Sequence, residues 1–434
     1  MLIKPMIFTK IKNFILKVIV LFLRIIIFSL SKIITFKIVL IQSSRIGGIM
    51  RATDIFEIEK ERLKSLKRVI IICVREQPVC NFFLSDLIER RIKKVHKYTY
   101  FFNQNKFFEY WFSSEARFRF GKINRLTYRN TRLSAYLKKS HESSYYTDSL
   151  FDYDYVKKPY INLSYKEIGE DNRFLNDLNL ETKKWICIHN RDSEYLKNLI
   201  NHEYYKNLDF RYHNYRDSDV NNLIKSTKLL LEKNFYVFRM GRIQSNRMNL
   251  KHPNFIDYAF EKDRSDFNDI YLFSKCAAYL GSDSGPGDVT FLSGKPRFLM
   301  NYSLTMLYAF HPGGSEASRK NHFSFIFKHL FDKKTQKKLT LKQIINRNLM
   351  GLANGVELKR EGVLPIENSE EEILDLTLEM INYLETKKMN SQDDYEAQKK
   401  FWDIYYENTT YKRFEDIPVR ICSKFLSKNM YILE

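Results

Sequence analysis

Ser282, Asp283, Ser284 and Gly285 come just before Pro286, Gly287 and Asp288, so three short polar side chains precede a glycine and a proline suited to a first helical turn. A chain that enters a helix this way presents unpaired backbone N–H groups, and those groups bind anions. Asp283 can orient a ribose or sugar hydroxyl, or hold its own loop through an Asx-type bond. A second polar group follows the apolar run Trp185–His189: Asn190, Arg191 and Asp192. Arg216 stands in "YHNYRDSD", and Arg239 with Gly241 closes "FYVFRMG". Three arginines near one strand edge repel one another unless an anion lies among them, and their planar forks suit phosphate. Taken singly, each arginine is equally well explained as a solvated or salt-bridged group, with Asp192 and Asp217 as local partners.

These residues need elements to bring them together. From Trp185 onward the pattern alternates: strand "WICIH", helix "DVNNLIKSTKLLLEKN" with Asp217 or Ser218 as its cap, strand "FYVFRMG", short strand "NFIDYA", helix "FNDIYLFSKC", strand "AAYLG", and finally "PRFLMN". That is close to a doubly wound half, whose ligands lie at strand carboxyl ends. His189, Asn190, Arg191, Arg239, Gly241 and Ser282 to Gly285 all fall at such ends and converge on one crevice. Earlier in the chain, "TFKIVLIQSSRIGGIM" and "LKRVIIICVREQ" read as strands, and "NFFLSDLIERRIKKVHKY" as an amphipathic helix. The turn with Arg45, Gly47 and Gly48 ends the first of these strands. "SEEEILDLTLEMINYLE" opens with a capping box from Ser369 to Glu372 and has helical apolar spacing. Residues 100 to 180 show no clear period.

The 434 residues suit two or three domains, and a net charge of +21 points to an anionic partner. The five cysteines form no C-x-x-C and the nine histidines no H-x-x-x-H, which speaks against structural zinc and fits a reducing cytosol. Nine Lys or Arg precede Asp54, the first acidic residue, within a segment rich in Ile, Leu, Phe and Val. Lys10, Lys17, Arg24 and Lys32 share one face at helical spacing. A cationic stripe on an apolar helix describes a segment lying in the interface of an anionic leaflet, with a core helix or a tilted span as alternatives.

The segment "YLGSDSGPGDVTFLSGKPRFLMN" resembles the donor site of GT-B glycosyltransferases, particularly the heptosyltransferase type. The ordered set "IHNRD", "YHNYRDSD", "FYVFRMG", "NFIDYA", "GSDSG" and "LPIENSEEEILDLTLEMINYL" is similar to a family of bacterial surface-carbohydrate glycosyltransferases. Where the heptosyltransferase turn carries methionine and histidine after the proline, Gly287 and Asp288 stand here, so donor identity does not transfer.

The resemblance implies an α/β protein of GT-B type, with two facing Rossmann-like domains behind a membrane-associated helix. The corresponding division is a helix at 1–36, an acceptor domain at 37–180, a donor domain at 181–350 and C-terminal helices at 351–434, partly crossing back. It implies transfer of a sugar from a nucleotide-activated donor to a cell-surface glycan or lipid-linked acceptor, in polysaccharide or lipopolysaccharide biosynthesis at the cytoplasmic face of the inner membrane.

The expected nucleotide-sugar contacts are His189, Arg191, Arg216, Arg239, Gly241, Ser282, Asp283, Ser284 and Gly285, with Arg45, Gly47 and Gly48 on the acceptor side. No catalytic base can be named. The donor half has no Asp-x-Asp at a strand end, and its cationic groups already supply charge, so neither metal nor cofactor is expected. A nucleotide-sugar epimerase or hydrolase, and a nonenzymatic anion or nucleic-acid binder, are the other readings. The first leaves the basic N-terminus unexplained, and no recognised RNA or DNA module supports the second.

Overall fold

The computed structural model describes residues 3–30, 33–50, 69–108, 125–127, 159–170, 172–310, 323–388, 394–409 and 419–434. The chain forms two compact units, Met1–Ser143 and Ser144–Glu434.

The first unit begins with α1 (Ile3–Leu30), followed by β1 (Thr35–Ile41), β2 (Val69–Arg75), α2 (Phe82–Val95), β3 (Thr99–Asn103) and β4 (Arg125–Thr127). The strands form one parallel sheet in the order β3-β2-β1-β4. Asn81 caps α2 by accepting from the Leu84 N–H at 2.7 Å, and Leu84, Ile88 and Ile92, one turn apart, form its buried face. The chain turns helical again at residues 46–50, directly after β1. A Cβ on Gly48 would lie 2.2 Å from the Gln42 carbonyl oxygen, so only glycine lets this helix start press against the strand end.

Helix α1 has two unlike faces. Val20 is buried with Val74 and Phe108, and Leu23 and Ile27 join that cluster. At about 100° per residue the opposite face carries Ile11, Phe14, Ile15, Val18, Phe22 and Ile25, each 49–67% exposed. Lys17 and Arg24 lie on a flank between the two faces; the side chains of Lys10 and Lys32 are outside the described residues. Among the described residues no helix is long and apolar enough to cross a membrane.

The second unit contains α3 (Arg173–Leu178), β5 (Trp185–His189), α4 (Glu194–Leu199), α5 (Ile224–Glu232), β6 (Tyr236–Arg239), β7 (Phe255–Ile256), α6 (Asp266–Lys275), β8 (Ala278–Ser282), α7 (Gly285–Leu292), β9 (Arg297–Tyr302) and β10 (Phe323–Phe327). These are followed by β11 (His329–Asp332), β12 (Lys337–Lys338), α8 (Leu341–Asn346), α9 (Gly355–Arg360), β13 (Val363–Ile366), α10 (Glu370–Thr386), α11 (Tyr395–Glu407), β14 (Arg420–Ile421) and α12 (Ser423–Lys428). Seven strands form a parallel sheet in the order β14-β10-β9-β8-β5-β6-β7, and β11, β12 and β13 form a small antiparallel sheet. Every residue of β5, β8 and β9 is buried, as expected for parallel strands covered on both faces, and this explains their unbroken apolar runs. Helix α10 packs on α5, β9 and β10, and its capping box between Ser369 and Glu372 is formed.

Two local expectations change. The helix after residue 219 starts as a 3-10 turn capped by Asp219, whose side chain accepts from the Asn221 N–H at 2.9 Å. Asp217 and Ser218 are engaged elsewhere. Residues 159–161 join the second unit, where Tyr160 N–H donates to the Leu292 carbonyl at 2.7 Å.

Candidate functional site

In the seven-stranded sheet the chain winds from β5 through β6 to β7 in one direction, and from β8 through β9 and β10 to β14 in the other. The reversal lies between β5 and β8, whose carboxyl ends carry His189, Asn190, Arg191 and Ser282, Asp283, Ser284. Open parallel sheets bind ligands at such a reversal. The two strand ends are tied directly: Arg191 N–H donates to Ser282 Oγ at 3.2 Å. A Cβ on Gly281 would lie 2.5 Å from the His189 carbonyl oxygen and 2.7 Å from the Tyr279 hydroxyl, so the strands meet here without room for a side chain.

The segment Tyr215–Ser218 runs across this edge. Ser218 N–H donates to the Arg191 carbonyl at 2.9 Å, and its Oγ is 3.3 Å from Ser282 Oγ. Asn190 Nδ2 donates to the Ser218 carbonyl at 3.2 Å. Asp217 pairs with the Arg191 guanidinium through its carboxylate and accepts from Lys328 Nζ through its carbonyl. Arg191 and Lys328 are both buried, at 7% and 3% exposure. Lys328 follows β10 directly, so it too sits at a carboxyl end. Burial lowers its pKa to about 8; Glu367 opposes that fall and the Arg191 charge adds to it. Tyr215, whose hydroxyl is pushed up mainly by burial, is near enough to Arg216, Asp283 and Arg191 to feel all three charges.

The start of α7 forms as expected. Ser284 is its extended N-cap, with Gly285 and Pro286 in the first turn. Ser284 Oγ donates to the Ser282 carbonyl at 3.3 Å, as does the Tyr279 hydroxyl at 2.9 Å. Since the Ser284 hydroxyl turns back to the strand, it does not occupy the N–H groups at the helix start. Free N–H groups at a helix start suit an anion, but here Pro286 brings none and that of Gly287 donates to the Ser284 carbonyl at 2.9 Å.

Arg239 is placed differently from the expectation of a second phosphate contact. It is wholly enclosed, with Nη1 donating to Asp257 at 3.0 Å, Nη2 to Gln244 at 2.9 Å, and Nε and Nη2 to Asn190 Oδ1 at 3.3 and 3.2 Å. It braces Asn190 from inside. Gly241 lies beside the same network, where a Cβ would meet the Gln244 side chain at 2.8 Å. Asp192 accepts from the N–H and Oγ of Ser245 at 2.8 and 3.0 Å.

His189 is buried, and its Nδ1 is 2.8 Å from the Met240 carbonyl. A carbonyl only accepts, so Nδ1 carries the proton. Burial lowers the ring's pKa to about 4 despite that bond, which fixes a neutral imidazole. Arg216 contacts the Nδ1 of His213 at 3.2 Å and the ring of Tyr215. Arg45 is in the first unit, where its Nη2 donates to Gln42 Oε1 at 3.4 Å; Gly47 and Gly48 open the helix after β1 at that sheet's carboxyl edge.

The edge therefore gathers His189, Arg191, Ser282, Asp283, Ser284 and Gly285, with Tyr215 and Arg216 beside them. Lys328 was missed in the sequence. Its signal was a second apolar run, "FSFIF", that ends in a cation just as "WICIH" ends in "NR". Among the described residues no group of three or more His, Cys, Asp or Glu side chains could hold a metal ion.

Neither a protein-family model nor a curated protein matches the chain. Solved structures similar to it are glycosyltransferases. The family 9 glycosyltransferase of Veillonella parvula DSM 2008 is 13% identical with a TM-score of 0.41, over 80% of this chain and 97% of that one. ADP-heptose lipopolysaccharide heptosyltransferase II of E. coli is 14% identical with a TM-score of 0.37, over 67% and 90%. The iron-containing dodecameric glycosyltransferase TibC of enterotoxigenic E. coli is 11% identical with a TM-score of 0.33, over 63% of this chain and 59% of TibC. At such identities and scores neither substrate nor residue role transfers.

Proposed function

We propose that the chain is a glycosyltransferase of GT-B type whose second unit binds a nucleotide-activated sugar at the β5/β8 edge. One observation carries this reading: the strand reversal of a seven-stranded parallel sheet brings a buried arginine, a Ser-Asp-Ser loop and a helix N-terminus to one place. Cleaving a glycosyl phosphate builds negative charge on the leaving diphosphate, and fixed N–H dipoles and a guanidinium stabilise that charge without reorganising. Asp283 supplies a carboxylate suited to a ribose or sugar hydroxyl. The acceptor, a cell-surface glycan or lipid-linked glycan, is taken by the first unit near Arg45, Gly47 and Gly48, and the transfer needs no metal.

The exposed apolar face of α1, flanked by Lys17 and Arg24, supports attachment to an anionic membrane surface, and with it a working position at the cytoplasmic face of a bacterial inner membrane. An acceptor carried on a lipid is consistent with that position.

The test is titration of UDP, GDP, ADP and CMP, free and sugar-linked, against the wild type and Arg191→Ala, with melting temperature measured on both. Loss of one charge-assisted phosphate contact weakens binding about 10- to 100-fold. Wild-type protein that binds no nucleotide would overturn the reading. Arg191→Ala protein that melts early but keeps its affinity would reduce Arg191 to the partner of Asp217.

A further inference from the structure

Two buried cations, Arg191 from the end of β5 and Lys328 from the end of β10, converge on one residue of the crossing segment, Asp217. They hold different parts of it, the guanidinium taking the carboxylate and the ammonium the carbonyl. Their accessibilities differ in a telling way: the Arg191 side chain is 8% exposed and that of Asp217 24%. The Asp217 side chain is thus the more solvent-exposed member of its pair with Arg191. Glu367, the acid whose charge opposes the fall in the Lys328 pKa, is already engaged, accepting from Asp219 N–H at 2.8 Å and Asn222 Nδ2 at 3.3 Å. A carboxylate paired with one buried cation, on a residue whose carbonyl is held by a second, has at this strand edge the charge and the place of a ligand's own anionic group.

We propose that Asp217 is the resident occupant of a phosphate seat: the distal phosphate of a nucleoside diphosphate displaces its carboxylate from Arg191, and Lys328 becomes the second cationic contact of that phosphate. This rests on the donor-site reading above. Displacement requires only that the Tyr215–Ser218 segment shift at Asp217 while Ser218 stays tied to the strand ends. The lowered pKa of Lys328 fits the same picture, since a buried ammonium beside a guanidinium gains most from a dianion.

The experiment titrates UDP, GDP and ADP, together with the matching monophosphates and nucleosides, into the wild type, Asp217→Asn, Lys328→Met and Lys328→Arg, and records the melting temperature of each. Asp217→Asn removes the competing charge, so diphosphate affinity should rise about three- to tenfold while nucleoside affinity stays the same. An ordinary structural salt bridge gives the opposite sign. Lys328→Met should weaken diphosphate binding about tenfold and nucleoside binding little, with Lys328→Arg recovering part of the loss. If Lys328→Met does not fold, Asp217→Asn decides alone. A wild type that binds diphosphates while Asp217→Asn binds them no better overturns this proposal and leaves the donor-site reading standing. A wild type that binds none overturns both.

Discussion

Replacing Arg239 with methionine separates a scaffold arginine from a ligand arginine. The side chain is fully enclosed, and its ion pair with Asp257 at 3.0 Å is buried on both sides, with Asp257 only 10% exposed. Methionine fills much of the volume but leaves the Asp257 carboxylate with the Met248 N–H as a remaining donor at 3.0 Å. It also strips the donors from Asn190 Oδ1 and Gln244 Oε1. Breaking a buried pair from one side costs about 3–5 kcal/mol. At about 2–4 °C per kcal/mol for a unit of this size, the melting temperature should fall by about 6–20 °C. Asp257→Asn, which strands the arginine instead, should give a fall of similar size. Nucleotide affinity of the folded protein should change less than about threefold, because no group of Arg239 reaches solvent. Thermal unfolding followed by nucleotide titration below the transition reads both numbers. A variant that melts like the wild type yet binds nucleotide tenfold more weakly would show that Arg239 touches the ligand, and the enclosed network would be the wrong description.

Gly281→Ala places a Cβ against the His189 carbonyl, so it should destabilise the second unit by about 1–3 kcal/mol and weaken nucleotide binding, seen as a lower melting temperature with a raised Kd. Gly48→Ala should act on the first unit alone, measured as faster proteolysis there with nucleotide affinity intact. His189 is depressed from 6.5 to about 4, so the unfolded chain binds the extra proton between those values and stability is lost as pH falls through that window. This amounts to about 3 kcal/mol, and His189→Gln should flatten the melting-temperature profile between pH 6.5 and 4. Phe14→Ser with Phe22→Ser on α1 should reduce sedimentation with anionic vesicles while the melting temperature holds, since Val20, Leu23 and Ile27 still pack; unchanged sedimentation removes that face from the membrane reading.

The sequence made β5, β6, β8, β9 and helices α5, α6, α7 and α10 visible because their signals are local, buried parallel strands being continuous apolar runs and Ser284 and Ser369 marking helix starts, whereas α4 (Glu194–Leu199) read only as polar chain. The convergence of His189, Arg191 and the Ser282–Gly285 loop followed from topology, since strand ends of one parallel sheet share an edge. Arg239 shows the limit. Its place at a strand end is the same as that of Arg191, and only its partners Asp257, Gln244 and Asn190 decide that it points inward. Lys328 was hidden for a related reason, because nothing in "FSFIFKH" says that β10 joins the sheet two strands from β8. The cap at Asp219 was misplaced by two residues or fewer, since Asp217 and Ser218 are equally good caps until long-range partners claim them.

The reversal in strand order makes the β5/β8 boundary a seam. On one side lie β5, β6 and β7, and on the other β8, β9, β10 and β14; Arg191 and Ser282, which meet across it, are 91 residues apart in the chain. The β5–β7 half and the β8–β10 run are each assembled from near neighbours in sequence, with β14 joining β10 from much farther along the chain, and the seam closes only when the halves dock. A diphosphate held by Arg191 from one half and by Lys328 and the α7 start from the other would act as a stitch. Its binding energy would oppose parting of the halves, and backbone amides of β5 and β8 would gain more protection from hydrogen exchange than those of β7 or β14.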